Sequence, residues 1–167
     1  MHLLLRLLLV LLRARRYRAG DFPPLGEARL AWRVLPNDLD FSLHMNNARY
    51  LSLMDLGRVD LLARLGLVRL AFRGHWMPVL GAVTIRYHRP LGPFDRYELA
   101  SRLLGWDEKW FYIEQRFEAG DKLIARAVVK GLFRAPDGSI PSAAVLAHVG
   151  HAEPSPPLPP EVSALPQ

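Results

Sequence analysis

The chain has 167 residues, half of them hydrophobic, with 22 basic and 16 acidic side chains and no cysteine. That length suits one domain with a substantial core, and the cysteine count excludes disulfides, thiolate nucleophiles and Cys-ligated metals. The net charge of +6 is unevenly spread: residues 1–20 hold five arginines and no acid, which leaves 17 bases and 16 acids in the rest. A nearly neutral body has no basic stripe to follow a phosphate backbone, so nucleic-acid binding is not expected.

The first residues read MHLLLRLLLVLL, followed by RARRYR. The apolar run is about 12 residues long, against the roughly 20 that a spanning helix needs. Most of its positive charge follows the run, and ARRYRAG is a poor cleavage site, so it does not read as a secretory signal. Two readings of residues 1–19 stand: an interfacial anchor with arginines on anionic headgroups, or a helix docked on the domain. An anchor with this charge bias puts the domain on the cytoplasmic side. The expected location is cytoplasmic, free or at a membrane face.

Residues 20–28 form a Pro/Gly linker. RLAWRVL (29–35) alternates and ends at Pro36, which predicts a strand. A polar loop follows, then a helix from about Asn47 to about Leu65, capped by Asn46 or Asn47 and stopped at Gly66. Asp55 with Arg58 and Asp60 with Arg64 form helix-spaced ion pairs. LVRLAFRGHW reads as a short helix and a loop. Four strand-like runs come next, at 77–89, 95–106, 110–118 and 123–134, with turns short enough for antiparallel hairpins. Residues 140–149 suggest a short helix, and the Pro-rich tail, residues 151–167, reads as disordered. A long helix with an apolar face, followed by antiparallel strands, implies an α+β domain over residues 29–150 in which the sheet wraps the helix. There is no Gly-rich phosphate loop and no HExxH or comparable metal spacing.

The loop DLDFSLHMNNARYL (38–51) carries the chemistry. It resembles the D-x-D-x-x-G-H-V/M-N-N-x-x-Y signature of hotdog-fold acyl-CoA thioesterases of the 4-hydroxybenzoyl-CoA type. With LLGWDEKWFYIEQRF and the apolar leader, the chain is similar to the thioesterase superfamily member six subgroup. The resemblance implies a hotdog fold, hydrolysis of an acyl-CoA substrate without metal or redox cofactor, and a homodimer or dimer of dimers with the site between subunits. It also implies site residues. Asp40 matches the catalytic carboxylate, Asn47 the helix-start amide that polarises the thioester carbonyl, and His44 and Asn46 the motif histidine and first asparagine. Leu43 stands where the motif has glycine.

Elementary chemistry supports this assignment. Thioester hydrolysis needs an oxygen nucleophile and a donor for the developing oxyanion. A carboxylate supplies the first directly or through water, and a helix N-terminus supplies the second. Blander roles compete at each position. Asp38 reads as a turn former, Asn46 as a cap as well as a substrate contact, and Tyr50 as core or pocket wall. Arg86, His88 and Arg89 read as a solvated strand end or as partners for coenzyme A phosphates. Two rival functions remain at this level. One is an inactive membrane-associated acyl or lipid binder, favoured by Leu43. The other is a 3-hydroxyacyl-thioester dehydratase pairing His44 with Asp40.

Overall fold

The computed structural model describes residues 3–18, 20–72 and 76–165; parts of the predicted leader, of the loop after the central helix and of the tail lie outside them. Helix α1 spans Leu3–Ala14, strand β1 Glu27–Arg33, and the long helix α2 Asn47–Arg64. A short α3, Val68–Phe72, precedes strands β2 (Met77–Tyr87), β3 (Arg96–Trp106), β4 (Phe111–Ala119) and β5 (Lys122–Ala135). A three-residue β6, Gly138–Ile140, and helix α4, Ser142–His148, follow. The strands form one antiparallel sheet in the order β1-β3-β4-β5-β2, with β6 on β5. The sheet curls around α2, which is the expected hotdog architecture.

The alternation in β4 works as the sequence implies. Phe111, Ile113 and Phe117 face the helix side, while Tyr112, Glu114 and Arg116 face outward. Halfway along α2, Gly57 lets helix and sheet meet closely. A Cβ there would stand 2.7 Å from Ser101 Oγ, 2.8 Å from Gln115 Nε2 and 2.8 Å from Leu99 Cδ2. Beneath it the buried Gln115 donates to the Met54 carbonyl and to Ser101 Oγ, both at 2.9 Å, and accepts from Arg58 at 2.7 Å. The buried amide is thus satisfied on both ends, as a core polar group must be.

On the outer face, Glu114 is buried under three arginines: Arg126 at 2.6 Å, and Arg102 and Arg116 at 2.7 Å. Burial alone would raise its pKa. The hydrogen bonds from Arg126, Arg116 and Arg102 outweigh that and hold the carboxyl below its ordinary 4.5. The same carboxylate reconciles the like-charged cross-strand pair Arg116↔Arg126.

Helix α1 packs against α2, with Val10 in the main core and Leu3 and Leu7 against it, as the docked-helix reading of the leader has it. The structure corrects the sequence reading at two places. Asp38 is no simple turn former: it is fully buried and ion-paired to Arg6 of α1 and Arg49 of α2. The tail, as far as residue 165, is not a free extension. Ser155 Oγ accepts the Trp106 N–H at 2.9 Å, Val162 and Leu165 cover Tyr112 and Val128, and Glu161 pairs with Arg126. The two helix ion pairs stand as expected, Asp55 with Arg58 and Asp60 with Arg64, and the buried Asp60 also accepts the Tyr17 hydroxyl at 2.7 Å. Trp106 lies in the second core cluster, and Trp110 packs over Gly81.

Gly57→Ala tests the close approach of helix and sheet. Helix propensity favours alanine by about 1 kcal/mol, whereas overpacking costs roughly 1–3 kcal/mol. The expected outcome is a lower urea midpoint; a raised midpoint would show that the sheet does not press on the helix there.

Candidate active site

The loop between β1 and α2 is built on a small hairpin. Leu39 and Met45 form an antiparallel bridge. Inside it the Asp40 N–H donates to the His44 carbonyl at 2.9 Å, and the Leu43 N–H donates to the Asp40 carbonyl at 3.1 Å. Phe41, Ser42 and Leu43 are then a three-residue hairpin loop, whose third position calls for a left-handed residue. Leu43 occupies that position with φ 59°. This explains the motif glycine in physical terms: it removes the Cβ penalty of the left-handed region, roughly 1–2 kcal/mol. The leucine side chain is 64% exposed, so it bears the strain without clashing in the core. Phe41 at the tip is 99% exposed.

Asp40 is half-buried at the base of this hairpin. Its Oδ1 accepts the Ser42 N–H at 2.8 Å and, more weakly, the His44 N–H at 3.4 Å. Its Oδ2 has no partner among the described residues. One oxygen therefore anchors the carboxylate and the other is free. His44 contributes through its backbone; its imidazole is exposed and makes no hydrogen bond to the described residues.

Seven residues after Asp40, α2 begins. Asn46 is its cap, with the side-chain oxygen accepting the Ala48 N–H at 2.8 Å. The Arg49 N–H goes to the Asn46 carbonyl at 2.9 Å. In this first turn the Asn47 N–H meets no acceptor among the described residues, and the residue is exposed. The helix start thus presents an unpaired donor with the positive end of the dipole behind it. The Asn47 carbonyl accepts the Tyr87 hydroxyl at 3.3 Å, which ties the helix start to the end of β2.

Two tethers fix the loop. The Met45 N–H donates to the Leu91 carbonyl at 2.8 Å. The Asp38 carboxylate accepts the Leu35 N–H at 3.0 Å and four guanidinium bonds from Arg6 and Arg49, while its carbonyl accepts the Asn46 N–H at 2.8 Å. Burial alone would raise the Asp38 pKa; the bonds from Arg6, Arg49 and the Leu35 amide overcome it and keep the carboxyl low.

The remaining candidates are placed as follows. Tyr50 is core: it is buried edge-on against Tyr87 and Phe117, and burial, with a smaller effect from Tyr87, pushes its hydroxyl to about 12. Arg86, His88 and Arg89 are exposed at the end of β2, beside Tyr87. Arg86 pairs in register with Arg126 of the outer face, so it points away from α2. A cleft of about 200 Å³ runs between the later turns of α2 and strands β2, β4 and β5. Val59, Leu62, Ile113 and Val129 line it, and Asp55 and Arg58 are its charged residues. A larger open concavity, about 1110 Å³, lies at the ends of β1 and β3, and no motif residue lines it.

Sequence reasoning missed Arg6, Arg49 and Tyr87. The one available signal was Arg6 itself, a lone charge inside an apolar helix, which must find a partner if that helix docks.

Leu43→Gly releases the left-handed strain at the hairpin. Chemical denaturation is expected to show a gain of about 1 kcal/mol. A loss of stability would mean that the side chain, despite its exposure, holds the loop.

Comparison with known proteins places this geometry in context. The chain is 47% identical to the protein THEM6 of Danio rerio over 93 residues, covering 56% of this chain and 46% of that relative. It is 31% identical to a probable thioesterase of Saccharomyces cerevisiae over 84 residues, covering 49% of this chain and 36% of that relative. The match thus spans less than half the length of each of these two relatives. Among solved structures, a 1,4-dihydroxy-2-naphthoyl-CoA thioesterase from Synechocystis superposes with a TM-score of 0.65 at 16% identity, covering 74% of this chain and 95% of that one; this likeness speaks for the fold. Residues 34–165 match the thioesterase-like superfamily, and with the carboxylate hairpin, the open helix start and the curled sheet in place, the chain belongs to that superfamily.

Proposed function

We propose that the chain hydrolyses an acyl-CoA thioester to the free carboxylic acid and coenzyme A. What supports this reading is that one short, tethered loop carries both an Asp40 oxygen and an Asn47 N–H without a partner among the described residues. Asp40 delivers the oxygen nucleophile, its own or that of a water it deprotonates. The Asn47 amide receives the carbonyl oxygen as it gains charge. The acyl group runs along α2 towards the apolar cleft at Val59 and Leu62. From Asn47 to Asp55 the helix rises about 12 Å at 1.5 Å per residue, so a chain of some length is needed to reach that cleft. The exposed side chains His88 and Arg89, with Arg86 on the outer side, are the candidates for the phosphates of coenzyme A. The chain's similarity to a probable thioesterase of Saccharomyces cerevisiae and to a thioesterase from Synechocystis supports this reading.

The working form is a homodimer through β2. This edge strand is 11 residues long and leaves Met77, Val79 and Leu80 exposed, and an unprotected apolar edge invites a second copy. The partner would also close the open side of the cleft.

A thiol-release assay over a panel of acyl-CoAs tests the chemistry, with light scattering on the same sample to read a two-chain mass. Asp40→Asn should abolish release. Asn47→Pro removes the amide hydrogen at the one helical position that favours proline, and Asn46 already has the extended backbone (φ −58°, ψ 137°) that a following proline requires. Its turnover should fall about 10²–10³-fold with helix content unchanged by circular dichroism. Acyl-CoA that binds without thiol release from the wild type would make the protein a binder instead.

The second part of the proposal is attachment to the cytoplasmic face of an anionic membrane. Among the described residues no helix is long and apolar enough to cross one. Docked α1 nevertheless turns Leu4, Leu5, Leu8, Leu9 and Leu12 outward, and Arg13, Arg15, Arg16 and Arg18 follow them, exposed. A leucine stripe flanked by arginines suits an interfacial helix, with about 1 kcal/mol per arginine near an anionic surface. Wild type should pellet with phosphatidylserine-containing vesicles, and Leu4→Glu with Leu8→Glu should stay in the supernatant. Equal pelleting of the two would remove membrane attachment through this face.

A further inference from the structure

We propose that Arg6 is a positioning residue for the catalytic loop, so that helix α1, which precedes the matched superfamily region, is part of the catalytic unit. The kinetic side of this inference rests on the thioesterase reading; the structural side does not.

Arg6 is fully buried, and its guanidinium lies 5.6 Å over the Trp32 ring. It donates to both Asp38 oxygens, at 3.2 and 2.5 Å, and to the Arg33 carbonyl at 3.1 Å. Three points of attachment on two elements leave this planar group one orientation. Arg49, from the first turn of α2, takes the other side of the same carboxylate at 2.8 Å. Asp38 therefore joins α1, the end of β1 and the start of α2. Its own carbonyl receives the Asn46 N–H, so it closes the loop on which Asp40 and Asn47 stand.

Charge bookkeeping separates positioning from folding. With Arg6 present, two guanidiniums face one carboxylate. Without it, Asp38 still has Arg49, and the site becomes a neutral pair instead of an unpaired buried charge. The fold therefore survives the loss of Arg6. What is lost is the brace on the β1 side of Asp38. Residues 41–44 are exposed and have little packing of their own, so their register against Asn47 depends on Asp38 and on the Met45–Leu91 bond. A small displacement of the carboxylate from the helix start lowers turnover steeply, whereas contacts to the coenzyme A portion, made elsewhere, keep KM.

The test uses the full chain with Arg6→Met, Arg6→Lys and wild type. Hydrogen exchange is followed at the Asp40, Met45 and Asn46 amides and, for reference, across β3, β4 and β5. In Arg6→Met the loop amides should exchange about ten-fold faster or more while the strand amides keep their protection. Its kcat should fall about ten-fold or more with KM within about two-fold of wild type. Lysine, which cannot span both Asp38 oxygens and the Arg33 carbonyl, should give intermediate values on both measures. Unchanged loop exchange in Arg6→Met, or a loss of protection spread evenly over β3–β5, overturns the proposal. If Arg6→Met does not fold, unchanged loop exchange in Arg6→Lys overturns it. A wild type that releases no thiol sinks the thioesterase reading alone, and the exchange data still decide the role of Arg6.

Discussion

The buried carboxylate of Asp38 is the contact on which the arrangement of this molecule depends. A fully desolvated charge needs partners from several directions, and here they come from α1, from the backbone after β1 and from the first turn of α2. Each of those elements is thereby held relative to the other two. Burial acts against the ionised form and the arginine bonds act for it, with the arginine bonds prevailing. Such clusters contribute little net stability compared with an apolar core, but they penalise any arrangement that leaves one member alone. The consequence is a defined geometry at a place where the backbone has little else to lean on.

That place is the Asp40 hairpin. Its tip is solvent-exposed, it contains a residue in the left-handed region, and its internal bonds are local. The carboxylate oxygen that faces the loop amides is fixed by them, and the other has no partner among the described residues. At the start of α2, capping by Asn46 is selective. It satisfies the Ala48 amide and leaves that of Asn47 open. An unengaged carboxylate oxygen and an unpaired helix-start amide, as counted among the described residues, thus arise from ordinary turn and cap chemistry on the loop that the Asp38 cluster tethers. The Leu43 departure from the motif is consistent with this picture, because the backbone keeps the left-handed conformation and the side chain goes to solvent.

The rest of the fold serves the same helix. Gly57 permits the sheet to approach α2 closely, and Gln115 occupies the contact with all its polar atoms satisfied. The outer face carries the opposite solution, a carboxylate under three arginines, with the C-terminal residues laid over the neighbouring apolar ring and valine. Most of the exposed apolar surface falls on α1, the loop tip and the β2 edge, with Leu25, Leu51 and Phe94 outside them.

The amino-acid sequence by itself determined the five long strands, the β3–β4 and β4–β5 hairpins, the span and cap of α2 and the ion pairs along that helix, but not that β2 pairs with β5 instead of β3. These features arise between residues two to four apart, where alternation, helix spacing and turn chemistry act directly. The left-handed residue at position 43 was signalled only through the resemblance, by the glycine of the motif that Leu43 replaces. Only the tertiary structure decided that Arg6 meets Asp38 across 32 positions, that α1 packs into the core, and that the Pro-rich tail, as far as residue 165, lies on the sheet. No local pattern encodes those outcomes. They follow from which buried charges must be paired and which apolar faces must be covered once the sheet has closed on the helix.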